Sequence, residues 1–439
     1  MSLVVRGVFW IGVYLAVVAG PLLFALIDAP TGRDFWTEFS VALGFIGLSM
    51  MGMQFALVAR FHSVAAPFGE DAVVQFHRQM AYVATAFVLA HPVILFIADT
   101  DLLSLLNFVE APWRARFAAV SVVLLAAVMV TSVWKSRLRL SYETWQLLHA
   151  VLSTLAVVTA LVHMILVDHY LDSLWKQLLW TAMTVAFLGL LLRVRLLRPL
   201  RRRRRPWEIT SVTPQPGNVS TLTLRPVGHD GFDFEPGQFG WLFVNRSPYA
   251  LTSHPFSFSG SAERDDNTVE MSIKAAGDFT RSVHAIAPGT RAYLDGPHGV
   301  FTIDRNEGPG FVLIGGGIGI TPLLSMLRTA RDRDDPRPFV LFYANRRFED
   351  AAFTRELVEL EARLNLEVVH VVQDPPEGWT GEVGFVSQDL LRRRLPTRFT
   401  RMQYFVCGPP PMMDALEDAL SALGVPADRI HSERLSFVS

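Results

Sequence analysis

Residues 77–91 read HRQMAYVATAFVLAH, and residues 149–163 read HAVLSTLAVVTALVH. Both segments are apolar, and each carries histidines fourteen residues apart: His77 with His91, and His149 with His163. Fourteen residues of α-helix turn through about 1400°, which leaves the two histidines about 40° apart on one face and ~21 Å apart along the axis. Two such helices side by side can clamp two flat macrocycles, one above the other, between facing imidazoles. The apolar core of a bilayer is ~30 Å thick, so two stacked haems would span most of it. A lone histidine in such a helix can simply hydrogen-bond to a neighbour. Four at matched spacing on two helices point to metal ligation.

The 439 residues divide sharply. Mean hydropathy is +0.30, and charged residues make up 18%, below the ~25% of an ordinary soluble domain. Long apolar runs fill the chain to about residue 198; the rest reads as soluble α/β protein. Six membrane helices are expected at about 4–27, 37–60, 72–98, 115–135, 142–168 and 174–197, each with the ~20 apolar residues a span needs. The first is too long for a signal peptide and lacks a small-residue cleavage site. Arg60, Lys135, Arg137, Arg139, Arg193, Arg195, Arg198 and Arg201 to Arg205 fall in alternate loops or at the exit of the last span. Asp28, Asp34, Glu38, Asp99, Asp101, Glu110, Asp168 and Asp172 dominate the other side. The positive-inside rule then places both termini in the cytoplasm and the chain in the cell (inner) membrane as a multi-pass protein.

The third and fifth helices run in the same direction in that topology. His77 therefore pairs with His149 near the cytoplasmic face, and His91 with His163 near the outer face. Arg78, beside His77, is a candidate partner for a haem propionate or an interfacial snorkelling residue. His62 and His169 fall at loop edges and read as solvated or capping residues. The single cysteine, Cys407, excludes an internal disulfide, and no Cys-x-x-Cys-His is present for covalent haem attachment. The haems should be b-type. The net charge of −1 averages two unlike halves and is uninformative, and no basic face suggests nucleic acid.

Arg201 to Arg205 and Pro206 read as a basic linker at 201–206, suited to anionic headgroups. Short alternating strands follow, from Ile209 to Pro226 and Gly240 to Val244, as in a small antiparallel barrel ending near Ile303. Within it, His254-Pro255-Phe256-Ser257-Phe258-Ser259 lies on a strand whose alternation points Phe256 and Phe258 one way and Ser257 the other. An aromatic there can cover a flat ring system, and a hydroxyl can reach its edge. Lys274-Ala275-Ala276-Gly277-Asp278-Phe279-Thr280-Arg281 runs from a strand into a helix whose start offers N–H groups to a pyrophosphate. Next, the buried-type strand Phe311-Val312-Leu313-Ile314 enters Gly315-Gly316-Gly317-Ile318-Gly319-Ile320-Thr321-Pro322 and then the apolar helix Leu323 to Ala330. Strand, glycine turn and helix place a dinucleotide pyrophosphate on a helix N-terminus. Further strands at Phe339 to Tyr343, Glu367 to Val372 and Gln403 to Val406 alternate with helices, as in a doubly wound parallel sheet. The last leads into the turn Cys407-Gly408-Pro409.

Those motifs, with Tyr142-Glu143-x-Trp145-x-x-x-His149, resemble the ferric reductase and NADPH oxidase family, and the soluble half resembles the ferredoxin–NADP reductase superfamily. The resemblance covers nearly the whole chain and points to a bacterial member. It implies an all-α six-helix transmembrane di-haem domain at 1–200, a linker at 201–206, an FAD-binding β-barrel at 207–304 and a doubly wound α/β NAD(P)H-binding domain at 305–439. By that resemblance FAD is held by His254, Pro255, Phe256 and Ser257, with Lys274, Gly277, Phe279 and Thr280 at its diphosphate. Gly316, Gly317, Gly319, Thr321 and Pro322 would hold the dinucleotide. Cys407, Gly408 and Pro409 would flank the nicotinamide, and the C-terminal aromatic Phe437 would cover the flavin. Cys407, Glu433 and Phe437 are thus the candidate catalytic residues, and His77, His149, His91 and His163 the metal ligands.

Arg346 and Arg347, after the second strand of the last domain, suit the 2′-phosphate of NADPH, although Glu349 and Asp350 follow and NADH stays open. A nicotinamide gives hydride and a haem takes single electrons, so a flavin must stand between them. The expected activity is NADPH oxidation coupled to electron transfer across the bilayer to a small-molecule acceptor, oxygen (giving superoxide) or a ferric complex. No obligatory protein partner is indicated. A haem-binding subunit of a partner redox system and a membrane-anchored flavin reductase are the alternatives.

Overall fold

The computed structural model describes residues 3–28, 30, 32–59, 61, 64, 68, 70–244, 247, 249 and 254–434. Arg60, His62 and Phe437 lie outside the described residues. The chain divides into two units, Met1–Pro199 and Leu200–Ser439.

The first unit holds helices α1 (Leu3–Ala25), α2 (Phe35–Leu57), α3 (Glu70–Ala98), α4 (Trp113–Val133), α5 (Tyr142–Val167) and α6 (Leu174–Leu192). Each is long and apolar enough to cross a membrane, and the protein is a multi-pass membrane protein. Local chemistry sets the helix ends. Asp34 accepts from the amides of Trp36 (3.0 Å) and Thr37 (3.1 Å) to start α2. Ser141 accepts from the Thr144 amide (3.2 Å) to start α5, and Asp168 closes α5 in the left-handed conformation. Between helices in lipid no hydrophobic force operates, and small residues permit close packing instead. On α2, a Cβ at Gly44 would lie 3.3 Å from the His91 ring, and one at Gly47 would lie 2.7 Å from Val88. The Ser121 hydroxyl donates to the Ala156 carbonyl (2.9 Å) and ties α4 to α5.

The last span differs from its sequence reading. It is α-helical only to Leu192; Arg193–Leu197 form a π-turn, and helix α7 (Arg198–Arg203) continues into the stretch expected to be a linker. Arginine is a strong helix former, and Pro199 sits in the first turn, where its missing N–H is tolerated. The run therefore stays helical until shortly before Pro206.

The second unit begins with β1 (Trp207–Gln215), β2 (Val219–Pro226), β3 (Phe239–Val244), β4 (His254–Ser257), β5 (Val269–Lys274), the short helix α8 (Asp278–Ser282) and β6 (Thr290–His298). These strands form an antiparallel sheet in the order β4-β3-β6-β1-β2-β5. A bridge between Phe258 and Met271, with the Ser259 amide donating to the Glu270 carbonyl (2.8 Å), closes it into a barrel. Ile209, Leu222, Leu224, Leu242, Phe258 and Met271 fill its interior.

A parallel sheet follows, of β7 (Phe311–Gly316), β8 (Phe339–Asn345), β9 (Leu366–Val372), β10 (Glu382–Val383), β11 (Gln403–Gly408) and β12 (Ile430–Arg434). Its order is β10-β9-β8-β7-β11-β12. Helices α9 (Ile320–Asp332), α10 (Thr354–Glu361), α11 (Gln388–Arg394) and α12 (Pro410–Ala422) cover it. Along β7, Phe311 and Leu313 pack with α9 and α10, whereas Val312 and Ile314 pack with α11 and α12. Burial on both faces explains why this strand reads as a continuous apolar run.

One arginine joins barrel and sheet. Arg328 on α9 grips Glu356 on α10 through two bonds (2.6 and 2.7 Å). It also reaches Glu270 of β5 (2.8 Å) and the Ser259 carbonyl (2.8 Å). Removing one partner from such a half-buried set leaves carboxylates without their cation. Arg328→Leu should therefore lower the stability of this unit by about 2 kcal/mol, between the values for exposed and fully buried pairs. A thermal melt of the full-length variant in detergent should show a lowered transition, and an unshifted one would show that the contact contributes nothing.

Candidate functional site

In the first unit, α3 and α5 bring their histidines together in two places. The ring centres of His77 and His149 are 6.4 Å apart, and those of His91 and His163 are 6.5 Å apart. Two imidazoles bound to one metal through bonds of about 2 Å each would have centres roughly 6 Å apart. The ring nitrogens are arranged accordingly. His91 Nδ1 lies 3.0 Å from the Ser40 carbonyl, His163 Nδ1 lies 2.8 Å from the Arg114 carbonyl, and His149 Nδ1 lies 3.1 Å from Ser132 Oγ. With Nδ1 engaged, Nε2 is the nitrogen left for the gap between the rings. Among the described residues no three His, Cys, Asp or Glu side chains converge on a metal position. A macrocycle that brings its own in-plane ligands needs only the two axial imidazoles, so the paired geometry fits a haem.

Arg78 is exposed. The cation within electrostatic reach of His149 is instead Arg195, on the π-turn; Arg33 and Arg114 stand in the same relation to His91 and His163. None of the three carried a sequence signal, because their proximity arises only on folding.

In the second unit, β4 and α8 bring His254, Phe256 and Phe279 into one aromatic group. His254 and Phe279 stack at 4.1 Å and 5°, and Phe256 and Phe279 lie 6.2 Å apart at 24°. Phe258 does not join them. The strand ends at Ser257, and Phe258 turns fully into the barrel core. Ser257 is also buried. The start of α8 differs from expectation too. The amides of Ala276 (2.9 Å) and Gly277 (2.7 Å) both donate to Thr280 Oγ1, so the helix is capped by its own side chain. Lys274 closes β5, opposite Val219.

The parallel sheet reverses its strand order at β7: β8, β9 and β10 extend one way, β11 and β12 the other. Crevices at the carboxyl ends of strands at such a switch point are where α/β sheets bind ligands. Gly315-Gly316-Gly317 leaves β7 there, and Cys407-Gly408-Pro409 leaves β11 beside it. The two turns touch. A Cβ on Gly319 would lie 2.2 Å from the Cys407 carbonyl oxygen, and one on Gly316 would lie 2.5 Å from Met412 Sδ. Thr321 donates its hydroxyl to the Ile318 carbonyl (2.9 Å) in the turn before Pro322, and α9 then presents its N-terminus at the sheet edge.

Cys407 faces Glu433 across the β11–β12 ladder, so two of the candidate catalytic residues are brought together. Cys407 is wholly buried. Burial pushes its thiol well above the usual range, and the Glu433 carboxylate adds to the rise. Its side chain packs into the apolar cluster beneath the nucleotide edge. Arg346 and Arg347 each hold an acid: Arg346 pairs with Asp374 (2.9 Å), and Arg347 with Asp350 (3.1 Å) and Glu349 (2.9 Å).

Six spans, a flavin-type barrel and a switch-point nucleotide edge define a membrane-bound flavin oxidoreductase. Three family descriptions match in the same order: "Ferric reductase like transmembrane component" over residues 43–160, "FAD-binding domain" over 206–300 and "Oxidoreductase NAD-binding domain" over 313–418. The chain belongs to the ferric reductase and NADPH oxidase family. It is an oxidoreductase with an FAD-binding and a pyridine-nucleotide-binding domain joined to a ferric reductase-like transmembrane part.

Among curated relatives, the NADH-cytochrome b5 reductase 1 of Cryptococcus neoformans is 33% identical over 163 residues, 35% of this chain and 55% of that protein. The chain thus spans about half the length of that relative. The propane 2-monooxygenase reductase component of Mycolicibacterium smegmatis is 30% identical over 241 residues, 53% of this chain and 67% of that one. The flavohemoglobin of Malassezia yamatoensis aligns in structure over 92% of this chain and 100% of its own, with a TM-score of 0.50 and 16% identity, which speaks to fold alone.

The raised thiol of Cys407 has a pH consequence. Unfolding returns it to about 8.5, so above that pH the unfolded chain releases a proton that the folded chain retains. Its contribution is complete below about pH 8.5 and is lost as pH rises further. Cys407→Ala should therefore show a shallower fall in Tm above about pH 8.5 than the parent. Equal slopes would mean that the thiol titrates normally in the fold.

Proposed function

We propose that this protein carries electrons from cytoplasmic NADPH across the cell membrane to an outer-face acceptor, with oxygen, giving superoxide, as the leading acceptor and a ferric complex as the alternative. The observation that carries this reading is the pair of imidazole gaps of 6.4 and 6.5 Å. They are set fourteen residues apart on each of two helices, and the chain also contains its own flavin and nucleotide folds. Bound FAD supplies the conversion of hydride to single electrons, and two b-type haems supply one-electron sites spaced across the bilayer.

His77 and His149 hold the inner haem, and His91 and His163 the outer one. Two imidazoles on each group would favour electron transfer without oxygen binding at the metal. His254, Pro255, Phe256 and Ser257 bound the flavin ring and its edge, and Lys274, Gly277, Phe279 and Thr280 lie at its diphosphate. Gly316, Gly317, Gly319, Thr321 and Pro322 hold the nucleotide, while Cys407, Gly408 and Pro409 set the floor under the nicotinamide. Glu433 lies at the flavin–nicotinamide contact. Phe437, outside the described residues, covers the flavin in this reading. The basic loops and the arginines after α6 keep both termini in the cytoplasm.

The test is purified full-length protein given NADPH without oxygen. A low-spin haem spectrum that becomes reduced with no added partner supports the reading. Absence of haem refutes it and leaves an anchored flavin reductase. Two haems per chain are expected by pyridine haemochrome assay, and His91→Leu should retain FAD and only one haem.

The nucleotide preference rests on Arg346 and Arg347. Their carboxylate partners favour NADH as the second reading, since an acid near the ribose suits the free 2′-hydroxyl. If the arginines take the 2′-phosphate, kcat/KM for NADPH exceeds that for NADH severalfold, and Arg346→Ala erases the difference. Comparable values for the two nucleotides in the parent would sink the NADPH preference.

A further inference from the structure

Helix α2 presents two faces to different neighbours. One meets His91: the Ser40 hydroxyl donates to the His91 carbonyl (2.7 Å), and Gly44 abuts the His91 ring. The other lines a cavity of about 270 Å³ bounded by α1, α2 and the segment joining α5 to α6. Apart from Glu38 and Tyr170, every residue lining this cavity is apolar, among them Leu22, Val41, Ala42 and Phe45. Phe45 meets Tyr170 edge-on at 6.0 Å and Trp180 at 5.3 Å, so one wall is built of aromatic rings.

Two polar groups meet in this apolar lining. The Tyr170 hydroxyl donates to one Glu38 oxygen, and the Arg33 amide donates to the other at 2.9 Å. Tyr170 is buried, whereas the side chains of Glu38 and Arg33 are 31% and 39% exposed, so the carboxylate joins the cavity to water. A phenol that donates, beside an acid that exchanges protons, is what a carbonyl oxygen needs in order to be held and then protonated. The volume is just under the range of drug-sized sites and suits one substituted ring, not a dinucleotide or a macrocycle. A ferric complex is too polar for such walls, and molecular oxygen needs neither the donor nor the acid. A flat apolar ring that carries carbonyl acceptors and becomes protonated on reduction fits both ends of the cavity.

We propose that this cavity is a quinone site, in which Tyr170 holds a carbonyl of a membrane-soluble quinone and Glu38 supplies its protons. The inference rests on the haem reading above and adds a lipid-soluble acceptor to those named there. Electrons leaving the His91–His163 site need cross only α2, a helix of ~10 Å diameter with its side chains. The balance is simple. At the nucleotide edge NADPH releases two electrons and one proton and becomes NADP⁺. In the cavity the quinone gains those two electrons one at a time and two protons through Glu38, and its two C=O groups become C–OH.

Purified full-length protein and a benzoquinone bearing one isoprenoid unit test this. Equilibrium dialysis of the oxidised protein, without NADPH, should show one saturable site per chain. Tyr170→Phe keeps the ring and removes the donor; it should weaken binding about tenfold, the worth of one hydrogen bond. Ala42→Phe fills the cavity and should abolish binding. With NADPH and no oxygen, the parent should convert quinone to hydroquinone. Glu38→Gln should retain binding but lower kcat roughly a hundredfold, as for the loss of a proton donor. Haem reduction by NADPH is followed in every sample. A parent whose haem is reduced but which binds no quinone saturably overturns this inference alone. A parent without haem, or with haem that NADPH does not reduce, overturns the underlying reading. Binding that survives both Tyr170→Phe and Ala42→Phe unchanged would put the quinone elsewhere and sink the assignment. Should Ala42→Phe fail to fold, Tyr170→Phe and the separation of binding from kcat in Glu38→Gln still decide.

Discussion

An imidazole has two nitrogens, and a ring that presents one of them to a partner must have the other held. The membrane unit is organised around that constraint. The Ser40 and Arg114 carbonyls and the Ser132 hydroxyl fix three of the four rings through Nδ1. Those three groups sit on α2 and α4. These two helices, which carry none of the paired histidines, are therefore as necessary to the pairs as α3 and α5. The capping of α2 by Asp34 and the close approach of α2 to α3 at Gly44 and Gly47 serve the same end, since they place Ser40 at the height of His91.

The same separation between what faces a site and what holds it recurs in the second unit. The glycine turn after β7 and the Cys407 turn after β11 meet because the sheet changes direction between those two strands. A half-buried cation, Arg328, links the helix that starts at that turn to the barrel strand bearing Glu270. The nucleotide edge and the barrel wall are thereby fixed to one another by charge as well as by apolar packing. This is consistent with a hydride donor and acceptor that must meet at a defined distance.

Periodic features were legible in the sequence; contacts between distant segments were not. The histidine interval could be read because a helix is a ruler, and the strands of the parallel sheet because burial on both faces leaves unbroken apolar runs. Ser40 lies 51 residues from His91, and the Arg114 carbonyl 49 from His163, so no local pattern announced either. A backbone carbonyl leaves no mark on residue identity at all. The π-turn at Arg193–Leu197 was hidden for another reason: a run of leucine and arginine favours helix without specifying its width. Phe256 and Phe258 looked equivalent by alternation, but the strand ends between them and sends Phe258 into the core. The bonds from the Ala276 and Gly277 amides to the Thr280 hydroxyl join near neighbours, but residue type alone does not announce them.

Gly44 fits against the face of the His91 ring, where a side chain would stand 3.3 Å from its carbon atoms. The ring is thus bounded on that side by bare backbone. Its rotation about the Cβ–Cγ bond is limited by a surface with no torsions of its own, so its angle cannot drift with a neighbour's rotamer. A methyl group at position 44 would leave every polar contact nominally possible and yet tilt the ring relative to His163. In a relay whose coupling depends on the mutual orientation of two flat groups, the smallest residue on α2 acts as a stop that sets an angle.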